Sequence, residues 1–497
     1  MPPAAADPHT LEESHLDRFV REKIYIAALL LAIGIFHAST VRQGHIWADD
    51  FAMYVHHAQN IVEHRPYADT GFIPNPSFAA GPRYYPPVFP ILLAPIYKLS
   101  GLDLIPMKLE QVLFLLLALG AVYAYWKQEL GPEYTFALVA ILGFAPALWT
   151  GKDNVLSDIP FLFFFYFAAL LVRSALRDSS NWWRWSALTG LTIYLAIGTR
   201  TVGIALAAGL ILYDVLRTRA VTRSTWVSIL VCTALLLLQR YGTGIGFGGY
   251  PYQHPTLHTM ARNFAAYTRV LASFWVGSTR NWFTYFVLVL FAALALAGWW
   301  VRRKRGFTFV EAALIPYLAI ILLSPFSGGV RMMFPVVPWI GYLALSGLRS
   351  LAEKLAPLHS PVAAWAVLVL VAISYGQFYR KANFGPIRQT AGLPEFNQLC
   401  QAVREKISPG DPIIYVRARA LSLYTGRPAA VPNYLGSETE FSEWAGNIHA
   451  KYFLTTNAFY DDHGFLDRFV RNHQQDFDLI YENASFKLYR IRSPFAG

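Results

Sequence analysis

Eleven long apolar runs recur along the chain, and this pattern restricts its fold more than any other feature. Each run has 15 to 20 residues, and a helix of about 20 apolar residues crosses the ~30 Å hydrocarbon core of a bilayer. Hydrophobic residues make up 55% of the 497 residues and charged residues only 15%. The runs lie at residues 24–41, 107–126, 133–149, 158–173, 185–199, 202–216, 225–239, 282–301, 308–323, 332–348 and 362–378. We therefore predict a polytopic α-helical membrane protein with about 11 transmembrane helices.

Basic residues cluster on one predicted side of the membrane. The clusters are Lys127; Arg173, Arg177 and Arg184; Arg217, Arg219 and Arg223; Arg302, Arg303, Lys304 and Arg305; and Arg349 with Lys354. Because cytoplasmic loops are rich in lysine and arginine, we predict that these clusters and the N-terminal tail, residues 1–23, are cytoplasmic. The first run is then an uncleaved anchor. Topology also explains the net charge of +11, so no nucleic-acid partner is expected.

The segment GTRTVG separates two of the runs, 185–199 and 202–216. A single helix over both would be about 48 Å long at 1.5 Å per residue, well beyond the bilayer core. It would also reverse the side on which the later basic clusters lie. We therefore predict two helices, with Arg200 between them at the external face.

Two adjacent carboxylates, Asp49 and Asp50, occur in the stretch GHIWADDFAMYVHHAQNI after the first run. The stretch opens a predicted external loop, residues 43–106, whose prolines and glycines argue against a regular spanning helix through its middle. Apolar positions after Asp50 recur at helical spacing, so both carboxylates lie at the mouth of an amphipathic helix. Aspartate is a preferred N-cap and is favoured by the helix dipole. Helix capping and a chemical role therefore both remain open.

A second external loop lies between Arg240 and Asn281 and begins with the glycine-rich segment GTGIGFGG. This segment is not a nucleotide-binding fingerprint, because no strand precedes it. The later part of the loop predicts a surface helix that carries Arg262 and Arg269.

The composition changes to that of a soluble protein after about residue 379. The segments EFNQLCQAVREKI and HGFLDRFVRNHQ predict helices. PIIYVR, KYFLTT and a terminal hairpin of DLIYEN with SFKLYRI predict strands. Residues 379–497 therefore predict a small α/β domain on the external side, and they contain no recognisable nucleophile motif.

Charged residues at the external membrane edge are the candidate functional residues, because a charge is costly there. They are Asp49 with Asp50, the segment KDNVLSD that ends at Asp158, Arg200 and Arg331. Carboxylates that face arginines across a cavity suit a reaction in which a base activates a hydroxyl group and cations hold a phosphate.

Each candidate also has a structural interpretation. Asp158 would cap the helix that starts near Pro160, and the two arginines would bind lipid headgroups. A basic and aromatic cluster in the first loop is equally consistent with loop packing and with the wall of a sugar site. It comprises Arg83, Tyr84 and Tyr85.

Histidines and cysteines give no metal-binding pattern. The histidines of the external loops are too scattered for a zinc site; they are His45, His56, His57, His64, His254 and His258. Cys232 and Cys400 lie far apart and indicate neither a metal cluster nor a disulfide framework.

The order and spacing of five motifs resemble those of the GT-C superfamily of membrane glycosyltransferases. The motifs are DDFAMYVHHAQNI, GPRYYPPVFPILLAPIYKLSG, VLSDIPFLFFFYFAALL, GTRTVG and GGVRMMFPVVPWIGYLALSGL. They are most similar to the branch that includes the protein O-mannosyltransferases and the aminoarabinose transferases of lipid A. The resemblance covers roughly residues 20–380, and no single motif is specific by itself.

The resemblance implies transfer of a sugar from a polyprenyl-phosphate-linked donor to an acceptor hydroxyl. Asp49 and Asp50 match the acidic motif of the family, usually Asp-Glu, whose first carboxylate is expected to be the base. The second position departs from that pattern, and spacing to Tyr54 would instead align Asp50 with the leading aspartate. Arg200 and Arg331 match basic positions that hold the lipid phosphate. Further candidates for the sugar or acceptor site are Tyr54, Arg83, Tyr84, Tyr85 and Asp158.

Few residues are needed for this chemistry. A sugar linked through phosphate already has a good leaving group, so one carboxylate suffices as base and in-line attack inverts the anomeric carbon. Arginines stabilise the negative charge on the departing phosphate. A divalent metal would be able to share that role, but the sequence contains no dedicated ligand set for one.

We therefore expect a glycosyltransferase of the bacterial inner membrane, with a GT-C-like catalytic domain at residues 24–378 and a periplasmic domain at 379–497. Its expected partners are the lipid-linked donor, membrane lipids and an acceptor that is a protein, lipid A, a polysaccharide or another glycolipid. The alternatives are a transporter or flippase of lipid-linked sugars and a non-catalytic envelope assembly protein. Inverted repeats or paired broken helices would favour the transporter, and we find neither in the sequence.

Overall fold

The computed structural model describes residues 8–46, 49–75, 81–243, 245, 256–276, 282–325, 327–355, 360–387, 390–391, 394–432, 437–457 and 465–492. The helices are α1 (Pro8–Ser39), α2 (Asp50–Val62), α3 (Val88–Ser100), α4 (Leu104–Leu130), α5 (Pro132–Gly143), α6 (Pro146–Gly151), α7 (Asp158–Arg177), α8 (Trp182–Thr199), α9 (Ile204–Thr218), α10 (Arg223–Thr243), α11 (Leu257–Val276), α12 (Trp282–Arg302), α13 (Phe309–Leu323), α14 (Val337–Leu355), α15 (Ser360–Tyr379), α16 (Pro394–Lys406), α17 (Ala418–Thr425), α18 (Glu438–Asn447) and α19 (Leu466–Asn472). The strands are β1 (His45–Ile46), β2 (Phe72–Ile73), β3 (Thr390–Ala391), β4 (Ile413–Ile414), β5 (Ala429–Ala430), β6 (Tyr452–Thr456), β7 (Phe477–Glu482) and β8 (Phe486–Ile491).

Each of the predicted apolar runs coincides with helical structure. The run at 133–149 is divided between α5 and α6, because Pro146 lacks an amide hydrogen and holds Ala145 before it in an extended conformation (φ −64°, ψ 131°). The predicted break at GTRTVG is confirmed. Arg200 is extended (φ −147°, ψ 130°) between α8 and α9, and a short 3₁₀ turn, Thr201–Gly203, follows it.

Seven helical segments among the described residues are long and apolar enough to cross a membrane. They are Val20–Ser39, Leu104–Leu130, Asp158–Arg177, Thr201–Thr218, Arg223–Gly242, Tyr285–Arg305 and Pro361–Tyr379. The helices α3, α5 and α13 are apolar but shorter. The protein is therefore a multi-pass membrane protein, as predicted, while the number of 11 spans stays a prediction.

Small residues allow the backbones of α12 and α14 to approach closely. A Cβ atom at Gly298 would collide with the carbonyl oxygen of Leu343, and one at Gly347 would collide with the carbonyl oxygen of Leu294. Close backbone approach at small residues is a main source of helix association in membranes, where no hydrophobic effect acts between helices.

The predicted α/β domain is present near the C-terminus. Its sheet has the strand order β2-β5-β4-β6-β8-β7, with β4 parallel to both β5 and β6, and with the predicted terminal hairpin of β7 and β8. The predicted helices correspond to α16 and α19. The predicted strand PIIYVR is shorter than expected, and α17, α18 and β5 were not predicted, because these elements are short and owe their stability to burial in the domain.

The first loop and the α/β domain form one structural unit. The edge strand β2 comes from the first loop and pairs in parallel with β5. One hydrophobic cluster contains Phe51 and Val55 of α2 together with Phe396 and Ile413 of the C-terminal region. The sheet thus extends across the sequence boundary that composition suggests at residue 379, and it fixes α2 against the C-terminal elements.

We expect the substitution Gly347→Ala to lower the thermal unfolding midpoint of the protein in detergent by several degrees. The added methyl group would collide with backbone atoms of α12, which cannot rotate away as a side chain can. The matched control is Gly120→Ala in α4, where nothing lies within 4 Å of the added Cβ atom. Equal midpoints for the two variants would contradict the close crossing of α12 and α14.

Candidate active site

The two adjacent aspartates open α2 but have different surroundings. Asp49 occupies the N-cap position with helical backbone angles (φ −58°, ψ −18°), and its side chain makes no capping hydrogen bond. Asp50 lies in the first turn, and its carboxylate contacts side chains from three other parts of the chain. Capping by the Asp49 side chain, the structural interpretation of this pair, is therefore not what the structure shows.

The carboxylate of Asp50 is the centre of a charged cluster. One of its oxygens, Oδ2, accepts hydrogen bonds from both terminal nitrogens of Arg331, each at 3.1 Å. The other, Oδ1, accepts from the hydroxyl of Tyr85 at 2.7 Å and from Arg419 at 3.4 Å. Burial raises the pKa of Asp50, but Arg331, Arg419 and Tyr85 outweigh it, so the pKa lies below its ordinary value and Asp50 is ionised at neutral pH.

Backbone geometry explains the position of Arg331. Gly329 has φ +71°, a conformation that side chains rarely adopt, and it starts the 3₁₀ turn Val330–Met333. Within this turn the Nε atom of Arg331 donates to the carbonyl oxygen of Gly328 at 3.2 Å. The GGVR sequence thus fixes the guanidinium against Asp50.

A second ion pair joins Arg200 and Asp158 beside the first. Arg200 lies at the break between α8 and α9, and Asp158 lies in the first turn of α7. Arg331 is 3.9 Å from the second oxygen of Asp158. Asp158 does not occupy the N-cap position, which belongs to Ser157. The main partner of its carboxylate is the guanidinium of Arg200.

The pair of Asp50 and Arg331 borders a cavity of about 360 Å³ together with Arg200, whereas Asp158 pairs with Arg200 without lining this cavity. Its polar wall includes Asp50, Arg200 and Arg331, and its apolar wall includes Ile204 and Ile320, whose side chains are 49% and 38% exposed. With Asp158 and Arg419, the cluster has three guanidinium groups and two carboxylates, so it carries a net charge of +1. An anionic group beside an apolar chain fits this combination of charge and shape.

The first-loop tyrosines lie at the cavity, whereas Arg83 does not. Tyr54, Tyr84 and Tyr85 all line it, and the Tyr54 hydroxyl is 2.9 Å from the Ser157 hydroxyl oxygen. The Tyr54 ring packs edge-on against that of Tyr85 with centroids 5.1 Å apart. Arg83 is exposed on the neighbouring 3₁₀ turn, so of the predicted cluster the two tyrosines reach the cavity.

Arg419 is a residue of this site that the sequence analysis did not select. It lies on α17 of the α/β domain, its side chain is 3% exposed, and it donates to the Tyr85 hydroxyl at 2.7 Å. Its guanidinium also stacks over the ring of Phe72, 4.8 Å from the centroid. The available signal was the pair of arginines in VRARAL directly after a buried strand, but Asp50, the partner of Arg419, is 369 residues away.

Asp49 faces away from the cavity, towards Arg417 and Arg419. Its Oδ1 atom is buried and has no hydrogen-bond partner among the described residues. Burial, only partly offset by the nearby guanidinium groups of Arg419 and Arg417, raises the pKa of Asp49 to about 6. The two aspartates are therefore distinct: Asp50 is a charged group that lines the cavity, and Asp49 is a buried carboxyl behind it.

The other charges of the KDNVLSD segment hold the backbone. Lys152 donates to the carbonyl oxygen of Thr40 at 2.8 Å and to Asp153 at 3.0 Å, and Asp153 also pairs with Arg42 at 2.6 Å. Lys152 and Asp153 are fully buried. This cluster ties α6 to the segment that leads into α2. Of the charged residues of KDNVLSD, Asp158 is the one that pairs with the arginines of the cavity.

Histidines near the site pack against aromatic rings. His45 stacks on Phe51 and His57 stacks on Tyr67, each with centroids 3.9 Å apart. Burial lowers the pKa of both histidines to about 3, so both rings are neutral. Among the residues that the structure describes, no three His, Cys, Asp or Glu side chains form a group that could hold a metal ion.

Comparisons with known proteins agree with this architecture. A profile of the family described as dolichyl-phosphate-mannose-protein mannosyltransferase matches residues 85–240. A comparison with curated proteins gives no match. ArnT from Cupriavidus metallidurans has a similar structure, with 15% sequence identity and a TM-score of 0.62 over 95% of this chain and 99% of ArnT.

Two further solved structures share the fold. The oligosaccharyltransferase of Archaeoglobus fulgidus is 12% identical, with a TM-score of 0.61 over 86% of this chain and 68% of that protein. The arabinofuranosyltransferase AftD from Mycobacteria is 13% identical, with a TM-score of 0.56 over 95% of this chain and 40% of AftD. These findings confirm the predicted GT-C fold, and the profile match covers residues 85–240 of the chain.

The buried carboxyl of Asp49 predicts a pH-dependent effect on stability. Its folded pKa of about 6 lies above the value of about 4 in an unfolded chain. The stability that protonated Asp49 contributes is therefore complete below about pH 4 and is lost as the pH rises through about 6. Because asparagine stays neutral, we expect the unfolding midpoint of Asp49→Asn to rise, relative to the native protein, from about pH 5 to about pH 7.5.

Asp50→Asn is the matched control, measured over the same pH range in the same detergent. The folded pKa of Asp50 is lowered, so the stability that its charge contributes is lost only at more acidic pH. Its difference from the native midpoint should therefore stay constant over this range. A constant difference for Asp49→Asn as well would show that Asp49 is ionised throughout.

Proposed function

We propose that this protein transfers a sugar from a polyprenyl-phosphate-linked donor to the hydroxyl group of an acceptor. The observation that carries the proposal is the cavity in which an ionised carboxylate, Asp50, lies beside the guanidinium groups of Arg331 and Arg200. The similar ArnT has also been solved bound to undecaprenyl phosphate, with 14% identity and a TM-score of 0.57 to this chain. The archaeal oligosaccharyltransferase AglB has been solved with dolichol phosphate and an inhibitory peptide.

Asp50 is the proposed base. The acceptor oxygen attacks the anomeric carbon while its proton passes to the Asp50 carboxylate, and the bond between that carbon and the phosphate oxygen breaks. The phosphate leaves with the electron pair as polyprenyl phosphate, and the configuration inverts because attack and departure are in line. The low pKa keeps Asp50 ionised before the reaction, and its 28% exposure leaves it accessible to a hydroxyl group.

Arg331 and Arg200 are the proposed phosphate-binding residues. Both guanidiniums line the cavity, next to the apolar side chains of Ile204 and Ile320, where a polyprenyl chain would enter from the bilayer. The net charge of the cluster falls from +1 to 0 when a donor phosphodiester with one negative charge binds, and the charge that develops on the leaving group is met by cations already in place. Tyr54 and Tyr84 form the proposed wall of the sugar site.

Arg419 and Tyr85 are proposed to orient the base. Together they bind Oδ1 of Asp50, while Arg331 binds Oδ2. A carboxylate held at both oxygens has one orientation, which is what in-line attack requires. The α/β domain thus contributes directly to the site through α17, in addition to any role in docking the acceptor.

The proposed location is the bacterial inner membrane, with the N-terminus in the cytoplasm and the α/β domain in the periplasm. This orientation is supported by the basic clusters, all of which fall at the helix ends opposite the cavity. Donor and acceptor would then meet at the periplasmic face. A divalent cation is not part of the proposed mechanism, in which the arginines supply the positive charge.

We expect Asp50→Asn to reduce sugar transfer on the order of 10²-fold or more, because an amide cannot accept the acceptor proton. The measurement is transfer or slow hydrolysis of polyprenyl-phosphate sugars by the purified protein in lipid. The matched control is Asp49→Asn, adjacent and isosteric, for which a much smaller change is expected.

Other outcomes of this assay discriminate between the alternatives. Loss of transfer in Asp49→Asn alone would move the role of base to Asp49. If neither variant differs from the native protein, or no donor is consumed, glycosyl transfer at this site is excluded and a transporter of lipid-linked sugars becomes the better interpretation.

We expect Arg200→Gln and Arg331→Gln each to weaken binding of polyprenyl phosphate on the order of tenfold, because each removes a charge-assisted hydrogen bond to the phosphate. The affinity is measured from the change in intrinsic fluorescence of the purified protein as polyprenyl phosphate is added. Arg269→Gln on α11 is the control, an exposed arginine with the same change of charge. Native affinity in both Arg200→Gln and Arg331→Gln would rule out the phosphate-holding role.

A further inference from the structure

A second charged cavity, of about 400 Å³, lies at the opposite end of the helical bundle from Asp50. It is formed between the ends of α4, α7 and α12 and the start of α13. The helix α7 connects the two sites: it begins at Asp158 and ends at Arg177, and its 20 residues span about 30 Å. The cavity is therefore separated from the candidate active site by about the thickness of a membrane.

Four arginines line this cavity and give it an excess of positive charge. They are Arg173 and Arg177 from α7, Arg302 from α12, and Arg305 just after α12. Glu129 pairs with Arg173 at 3.2 Å and with Arg302 at 3.4 Å, and Glu311 also pairs with Arg302. Four guanidiniums against these two carboxylates leave a net charge of +2.

Part of the arginine cluster is already held in place. The guanidinium of Arg173 lies over the ring of Tyr125, 4.0 Å from the centroid, and donates to the carbonyl oxygen of Tyr125. Arg177 donates to the neutral side chain of Gln128. A ligand anion would therefore meet donors whose ordering costs little free energy on binding.

Part of the remaining lining is apolar and exposed. Leu176 and Phe307 are 40% and 56% exposed, while Val172 and Ala169 of α7 line the cavity as buried apolar residues. Arginines beside an exposed apolar wall match a molecule that has an anionic head and a hydrocarbon chain. Free inorganic phosphate would contact the arginines but not the apolar wall.

We propose that this cavity binds the phosphate group of an anionic phospholipid in the leaflet opposite the candidate active site. Basic pockets between transmembrane helices commonly bind such headgroups. The headgroup would bridge α7 to α12, so it would brace the helix whose other end carries Asp158. This site is independent of the proposed sugar transfer.

Arginine clusters at helix ends are common in membrane proteins, where they set topology, but the geometry here is more specific. Arg184 and Arg303 lie at the same end of the bundle, and neither lines the cavity. Both are exposed, and each guanidinium lies over a tryptophan ring, Arg184 over Trp183 and Arg303 over Trp300. They therefore provide a matched control with the same change of charge.

The test compares two double variants. The cavity variant combines Arg177→Gln and Arg305→Gln, and the control variant combines Arg184→Gln and Arg303→Gln. Retention of phosphatidylglycerol and of phosphatidylcholine by the full-length protein is measured by native mass spectrometry. We expect the native and control proteins to retain phosphatidylglycerol in preference to phosphatidylcholine. The affinity of the cavity variant for phosphatidylglycerol should be lower than that of the native protein, on the order of tenfold or more. Equal unfolding midpoints without lipid verify that both variants fold.

A second arm of the experiment distinguishes a lipid from free phosphate. Inorganic phosphate is titrated against the native protein and the cavity variant in uncharged detergent, and the unfolding midpoint is measured. Loss of phosphatidylglycerol retention in the cavity variant supports the proposal that the cavity binds a phospholipid. If the native protein retains no phosphatidylglycerol but is stabilised by inorganic phosphate in a way that depends on Arg177 and Arg305, the lipid proposal is wrong and the cavity is a site for free phosphate. Equal behaviour of the two double variants in both arms overturns the proposal.

Discussion

An ionised carboxylate at a half-buried position requires partners of opposite charge, and the pairing of Asp50 organises this molecule around its cavity. Taking a carboxylate out of water costs several kcal/mol unless cations and hydrogen-bond donors compensate. Asp50 obtains them from Arg331, Arg419 and Tyr85. These partners come from a glycine-dependent turn between membrane helices, a helix of the α/β domain, and the first loop. The cluster thus requires all three regions to assemble together.

The shared hydrophobic core makes that assembly rigid. Phe51 and Val55 of α2 pack in one cluster with residues of the α/β domain, and β2 of the first loop completes the sheet. Arg419 is nearly fully buried, so its distance from Asp50 is set by packing and not by a flexible side chain. A carboxylate held in this way keeps its orientation without help from a substrate. The α/β domain is therefore part of the candidate site and more than an appendage to the membrane domain.

The two charged cavities at opposite ends of the bundle differ in how their charges are balanced. At the Asp50 end, two carboxylates offset two of the three guanidinium charges, which is compatible with the proposed base and with the proposed binding of an anion. At the other end, arginines exceed carboxylates, and among the described lining residues Glu129 is the one carboxylate, which is held by two arginines. The first arrangement suits chemistry, and the second suits anion binding alone.

Local patterns in the sequence predicted much of the fold. Apolar runs of 15 to 20 residues coincide with helices because length and hydropathy are local properties. The break at Arg200 followed from the same argument about helix length. Short elements such as α17 and β2 were not predicted, since a helix of eight residues or a strand of two has little stability of its own. Their formation depends on contacts that the sequence pattern does not reveal.

For the candidate site, the sequence by itself determined the residue types and their places along the chain: a pair of aspartates at a helix start, and the arginines Arg200 and Arg331 between helices. It did not distinguish Asp49 from Asp50, because adjacent residues of one type give the same local pattern. Only the tertiary structure separates them. The side chains of successive helical residues point about 100° apart, so Asp50 meets the cavity and its arginines while Asp49 turns towards the α/β domain. The role of Arg419 was likewise decided by tertiary structure, because Coulomb attraction acts through space and not along the chain.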